Sequence, residues 1–222
     1  MSMWLRFVSA SLLVAASASA QSAGVIDDAS FTFTRAGAPY GTESFKIIRR
    51  LGAEGTEYIA QCTRTTEGRV VRTSLTTDSA GNPTSYTRAT TGSGQGKLTA
   101  RRATNRLTVN EEGAQASSRD YVFAPGTLIL DDDVIHQLYF VTWRDPRTLS
   151  FLSPATKATG QGAVTEVGSE TIAVGNSSIP AVRYAFGSGD DRREIWVDSS
   201  RRLLKVAHPA KQIVGVRDLP PR

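Results

Sequence analysis

The sequence predicts a mainly β domain: one strongly curved antiparallel sheet, closed as a β-barrel or open as a half-barrel, of about ten strands with one short helix. Three observations carry this expectation. Short stretches of alternating apolar and polar residues recur along the chain, separated by Gly, Pro, Asn and Asp punctuation. Apolar residues at helical spacing occur in one stretch only, around Ile135. A single cysteine rules out an intramolecular disulfide, so a sheet without staples must curl to cover its apolar face.

The chain opens on a short basic segment containing Arg6, then an apolar run from Phe7 to Ala16, then Ala18-Ser19-Ala20 before Gln21. Small residues at Ala18 and Ala20, ahead of a cut before Gln21, match a secretory signal peptide. The apolar run is shorter than the roughly 20 residues that a membrane-spanning helix needs. Residues 1–20 therefore read as a signal peptide and 21–222 as one exported β domain, periplasmic or secreted. A second apolar run of that length is absent, so the exported domain is expected to be soluble.

Phe31 and Phe33 alternate with Ser30, Thr32 and Thr34, and Ala36-Gly37-Ala38-Pro39 supplies a turn. Residues 40–50 continue as a strand with Phe45 and Ile47 on one face. After a turn at 52–55, residues 57–64 put Tyr58, Ala60 and Cys62 on one face. Glu67-Gly68 leads into a strand at 69–77 with Val71 and Leu75 together. Residues 78–96 show little alternation and two turn clusters, and read as a wide hairpin end. Short strands are expected at 97–100, 106–110 and 115–123.

The pattern then changes. Asp131, Asp132 and Asp133 precede Val134, Leu138 and Val141 at helical spacing, with Ile135 and Tyr139 beside them. This predicts a helix over 132–142, its N-terminus capped by the acids and its end set by Asp145-Pro146. Strands resume at 149–152, 162–167, 170–174, 181–186, 192–197 and 202–208. Ile195 and Val197 pair as one core face, and Leu204 and Val206 as another. The tail from Asp218 reads as frayed.

Candidate chemistry is sparse. Cys62 could pair with His136 or His208 as a nucleophile and base, but its place beside Tyr58 and Ala60 reads as a buried structural thiol. These two histidines have no His-x₃-His or Cys-x₂-Cys context, so no metal or cofactor is expected. The aspartate run lacks the alternation and final Glu of a calcium loop. Glu57, Asp120, Glu194 and Asp198 are carboxylates available for glycosidase chemistry, and Glu194 and Asp198 share the face of Trp196. The arginine pairs 49–50, 101–102, 192–193 and 201–202 read as solvated strand ends. No catalytic motif is present, so the chain is expected not to be an enzyme. A net charge of +5 suits solubility or an anionic partner, and export argues against nucleic acid.

Phe31-Thr-Phe33 with Gly41-Thr-Glu43, then Ile179-Pro-Ala-Val-Arg-Tyr184, then Glu194-Ile-Trp-Val-Asp198 with Leu203-Leu-Lys-Val206 resemble uncharacterised exported bacterial domains with a curved antiparallel sheet. The resemblance extends distantly to periplasmic lipoprotein carriers, whose curved sheet is covered by helices, and it implies the fold rather than a function. In that arrangement Leu138, Tyr139, Phe140 and Trp143 would line a site for a lipid or other apolar or amphiphilic ligand between sheet and helix. The alternative is an envelope interaction module for a protein or polysaccharide, with a carbohydrate-active enzyme behind it. A cavity of about 300 Å³ or more favours the ligand reading, and a filled interior favours the module.

Overall fold

A computed structural model describes residues 24–113, 116–143 and 148–222. The signal-peptide positions Ala18, Ala20 and Gln21 lie outside the described residues. The first part of the chain is a meander of eight strands: β1 (Gly24–Arg35), β2 (Ala38–Gly52), β3 (Gly55–Thr66), β4 (Arg69–Thr77), β5 (Pro83–Gly92), β6 (Gly96–Ala103), β7 (Arg106–Glu112) and β8 (Ser117–Val122). A short strand β9 (Leu128–Ile129) and a helix α1 (Leu138–Thr142) follow. The second part comprises β10 (Thr148–Ser153), β11 (Ala158–Val174), β12 (Ser177–Phe186), β13 (Arg193–Val197), β14 (Leu203–His208) and β15 (Ile213–Arg217).

These strands form one sheet in the order β8 to β1, then β15 down to β9. The two meanders join where β1 pairs antiparallel with β15, Phe31 opposite Arg217. A buried bidentate ion pair locks this seam, with Arg217 Nη1 and Nη2 donating to Asp27 Oδ2 and Oδ1 at 3.0 and 2.9 Å. β9 and β10 pair in parallel, so the sheet is mixed. Residues 131–136 bond to side chains on β2, β5, β10 and β13. One short segment can reach four such distant strands only because the open sheet curves around it. No helix among the described residues is long and apolar enough to cross a membrane.

The core lies on the concave face. Phe31, Phe33, Phe45, Ile47, Leu75 and Ile195 are buried there, as their alternation requires. Phe31 stacks on Phe45 with ring centroids 5.9 Å apart. A smaller cluster of Ile172, Val174, Ala181, Trp196, Leu204 and Ala207 covers part of the other face. Leu204 and Val206 do not share a face. A register shift opposite Trp196 and Val197 turns Leu204 into the smaller cluster while Leu203 and Val206 join the main core.

The mainly β, curved architecture agrees with the sequence reading, but the sheet has 15 strands rather than about ten. β5, with sequence PTSYTRATTG, has Tyr86 as its only large apolar residue, and its other inward positions are Arg88 and Thr90. Its apolar alternation is therefore almost silent. β15 is only five residues long and includes Gly215, which leaves room for the Phe33 ring. β11 runs unbroken past Gly168, where a register shift replaces the predicted break. The tail is tied down, with Asp218 N–H donating to Ser30 O at 2.9 Å. The helix is also shorter than expected: Gln137 is its N-cap residue and no acid lies in its first turn.

Candidate ligand-binding cavity

Asp131, Asp132 and Asp133 do not cap the helix, because each carboxylate is engaged elsewhere. Asp131 Oδ2 accepts from Tyr86 Oη at 2.5 Å and Arg88 Nη1 at 3.1 Å, and its Oδ1 accepts from Ser153 Oγ at 2.8 Å and Ala155 N at 3.1 Å. Asp133 takes Arg88 bidentately at 2.7 and 2.6 Å, and Arg69 Nη1 lies 3.0 Å away. Asp132 meets Arg193 at 2.7 Å and Lys211 at 3.2 Å. The run thus ties the 131–138 segment to both arms of the sheet. Burial alone would raise the Asp133 carboxyl, but the Arg88 hydrogen bonds and the Arg88 and Arg69 charges hold it below the usual carboxylate range.

Glu43 plays the same part from β2. Its carboxylate is fully buried and accepts from the backbone N–H groups of Ile135 and His136 at 3.0 and 2.9 Å. His136 Nδ1 lies 3.2 Å from Glu43 Oε1. Cross-strand register brings the neighbours in. Glu43 lies opposite Arg64 on β3, and Phe45 lies opposite Cys62. Side chains of opposed residues share a face, so Glu43, Arg64 and Cys62 all point inward.

The structure therefore joins Cys62 to His136, not to His208. Glu43, Cys62 and His136 each offer a ligand-type atom, all within 4.8 Å of one another and all buried. These residue types suit a borderline metal such as zinc. The arrangement argues for a structural role instead. Glu43 is already engaged by Ile135 N, His136 N and His136 Nδ1, and burial followed by the Glu43 charge pushes the Cys62 thiol far above its usual range, away from the thiolate that a nucleophile needs.

Between the 131–138 segment and the sheet lies a cavity of about 400 Å³. Phe33, Tyr40, Val71, Leu138, Phe151 and Ile213 give it apolar walls, and Arg35, Arg64, Arg69, Arg193, His208 and Lys211 add basic groups. Arg64 is buried, with its guanidinium carbon 3.6 Å above the centre of the Phe33 ring. Arg35 is exposed and stands 3.8 Å over Tyr40. His208 Nε2 lies 2.8 Å from Arg193 Nη1 and 2.7 Å from the Asp190 carbonyl oxygen, which accepts when that nitrogen carries the proton. Burial, aided by the Arg193 and Lys211 charges, lowers the His208 pKa and keeps the ring neutral.

Of the four side chains expected to hold a ligand, Leu138 lines this cavity. Tyr139 and Phe140 are buried in the core, and Trp143 packs edge-on against Tyr58, Tyr139 and Phe140 at 4.5, 5.0 and 5.3 Å. The carboxylates considered for sugar chemistry are dispersed and paired. Glu57 meets Arg50, Asp120 meets Thr108, Glu194 meets Arg192, and Asp198 holds its own hairpin through Ser200 and Arg202. Trp196 is covered, its indole N–H bonded to Glu170 at 2.6 Å. Arg193 is the one member of the four arginine pairs that lines the cavity.

Sequence reasoning missed Glu43, Arg64 and Arg88. The available signal was a charged residue in register with an apolar face: Glu43 with Phe45 and Ile47, and Arg64 with Ala60 and Cys62. Isolated charges at such positions are costly to bury and so mark built polar sites.

No protein-family model matches the sequence, and no curated protein matches it. Among solved structures, the chain is similar to a β-barrel-like protein of the domain of unknown function DUF1849 from Brucella abortus, with a TM-score of 0.50 and 9% identity over 86% of this chain and 96% of that one. At that identity the likeness is one of fold alone, and it sets this curved sheet beside β-barrel-like architecture of uncharacterised function.

Proposed function

We propose that the chain is an exported, non-enzymatic binding protein that takes an apolar or amphiphilic ligand into the cavity between its curved sheet and the 131–138 segment. The observation carrying this reading is the cavity itself: about 400 Å³, walled by Phe33, Tyr40, Leu138 and Phe151. That volume lies toward the lower end of the roughly 300–1,000 Å³ typical of small-molecule pockets. It suits one short chain or ring system better than a two-chained lipid. Leu138 is the contact from the helix, while Tyr139, Phe140 and Trp143 support it from behind. The signal-peptide pattern supports export.

The test is uptake of the neutral fluorescent probe phenylnaphthylamine, with native mass spectrometry to count bound molecules. Wild type should bind one probe per chain, saturably. Ile213→Trp, which enlarges a half-buried wall residue, should lose the uptake while keeping its melting temperature. No saturable uptake by wild type, or full uptake by a folded Ile213→Trp, would refute the reading.

A further inference from the structure

From the unmet hydrogen-bonding demand of one buried arginine we infer that the ligand of this cavity carries an anionic group, a carboxylate or phosphate, seated on Arg64 with Arg35 at the rim. The inference rests on the cavity reading above and names the chemistry of what enters it.

Arg64 makes no hydrogen bond among the described residues. Its Nε and Nη1 are buried without a hydrogen-bond partner, and the residue lines the cavity. A buried guanidinium with idle donors is rare, since buried polar groups are almost always satisfied. Its one acidic neighbour cannot meet the demand. Glu43 Oε2 stands 3.5 Å from Arg64 Nη1, without hydrogen-bond geometry, and the carboxylate is taken by Ile135 N, His136 N and His136 Nδ1.

The other charges of the lining are largely spoken for. Arg69 pairs with Asp133, and Arg193 and Lys211 pair with Asp132. Asp131 is held by Arg88 and Tyr86. Asp191 is exposed. Arg35 has no acidic partner among the described residues and lies over Tyr40, whose ring centre is also 5.8 Å from the Arg64 guanidinium. A buried cation short of hydrogen-bonding partners and an exposed one without an acidic partner among the described residues thus flank one aromatic ring, with Phe33 stacked beneath the deeper of them. A guanidinium fork fits the planar oxygen pair of a carboxylate or two oxygens of a phosphate. The flanking rings suit an apolar body attached to it.

The test is calorimetric titration of the full chain with decanoate, decanol and inorganic phosphate. Wild type should bind decanoate about tenfold or more tightly than decanol, the size of one charge-assisted hydrogen bond. Arg64→Met should erase that preference and leave decanol binding unchanged, and Arg35→Gln should reduce it. Equal binding of decanoate and decanol, or a preference that survives Arg64→Met, would overturn the inference. Phosphate binding that is lost in Arg64→Met, with no uptake of decanol or decanoate, would keep the anion site and remove the amphiphile reading. Failure of all three ligands would remove both. If Arg64→Met does not fold because Glu43 is left uncompensated, Arg64→Lys keeps the charge without the fork. It should weaken decanoate alone, and unchanged decanoate binding would overturn the inference.

Discussion

Replacing Asp131 by Asn tests whether this carboxylate holds the roof of the cavity. Four donors converge on it: Tyr86 Oη and Arg88 Nη1 on one oxygen, Ser153 Oγ and Ala155 N on the other. Asn keeps one oxygen and replaces the second with a donor. Turned toward Ala155, the amide would strand a backbone N–H that cannot reverse. Turned toward Tyr86, it meets a hydroxyl that can reverse and accept, while Arg88 retains Asp133 at 2.7 and 2.6 Å. The second orientation keeps every backbone donor bonded but leaves the Tyr86 proton without the Asp131 acceptor and loses one buried charge-assisted interaction. Its cost is about 2–4 kcal/mol. At roughly 2–4 °C per kcal/mol for a chain of this size, Tm should fall by about 4–16 °C. Asp131→Ala takes the acceptor from all four donors, of which Arg88 alone keeps another in Asp133, and should cost more than Asp131→Asn. Urea unfolding with unchanged m-values, alongside thermal unfolding, measures both. An Asn variant within about 0.5 kcal/mol of wild type, the range of ordinary surface changes, or an Ala variant no worse than Asn, would refute the reasoning.

Stability should also fall with acid through His208. Its pKa is lowered in the fold, so the unfolded chain takes up the proton first, and stability is complete above the usual value of about 6.5 and declines as pH falls below it. His208→Gln should flatten that part of a pH–Tm profile; an unchanged slope would count against the assignment. Cys62 should resist alkylation in the native state, because burial holds it as the thiol. Iodoacetamide should label the native chain at least about tenfold more slowly than the urea-unfolded chain, since each pKa unit removes about nine-tenths of the thiolate. Equal rates would mean that the Cys62 pocket opens readily.

How much of the molecule could be read in advance differs from element to element. The strands around Phe31, Phe45 and Val71 were legible because each buries one face, and burial of one face writes a period of two into the sequence. β5 was not legible, because its inward residues after Tyr86 are Arg88 and Thr90, and the burial of Arg88 is made tolerable by Asp131 and Asp133, more than 40 residues away. The aspartate run misled for a related reason. Acids ahead of an apolar helical pattern are the usual mark of an N-terminus, and nothing local shows that Arg88, Arg69, Arg193 and Lys211 will claim them. Of the four expected contacts, Leu138 faces the cavity and Tyr139, Phe140 and Trp143 do not, because helical spacing alone cannot distinguish a wall residue from a core residue.

By itself the sequence determined the mainly β class, the inward-facing apolar residues of most strands, the helical character of 138–142 and the burial of Cys62, since all of these follow from local alternation and composition. Only the tertiary structure decided that β1 meets β15, that residues 131–138 roof a cavity, and that Glu43, Arg64, Cys62 and His136 come together. Those features depend on pairings between residues far apart in the chain, and a charge buried against a distant partner looks the same in the sequence as a charge left in water.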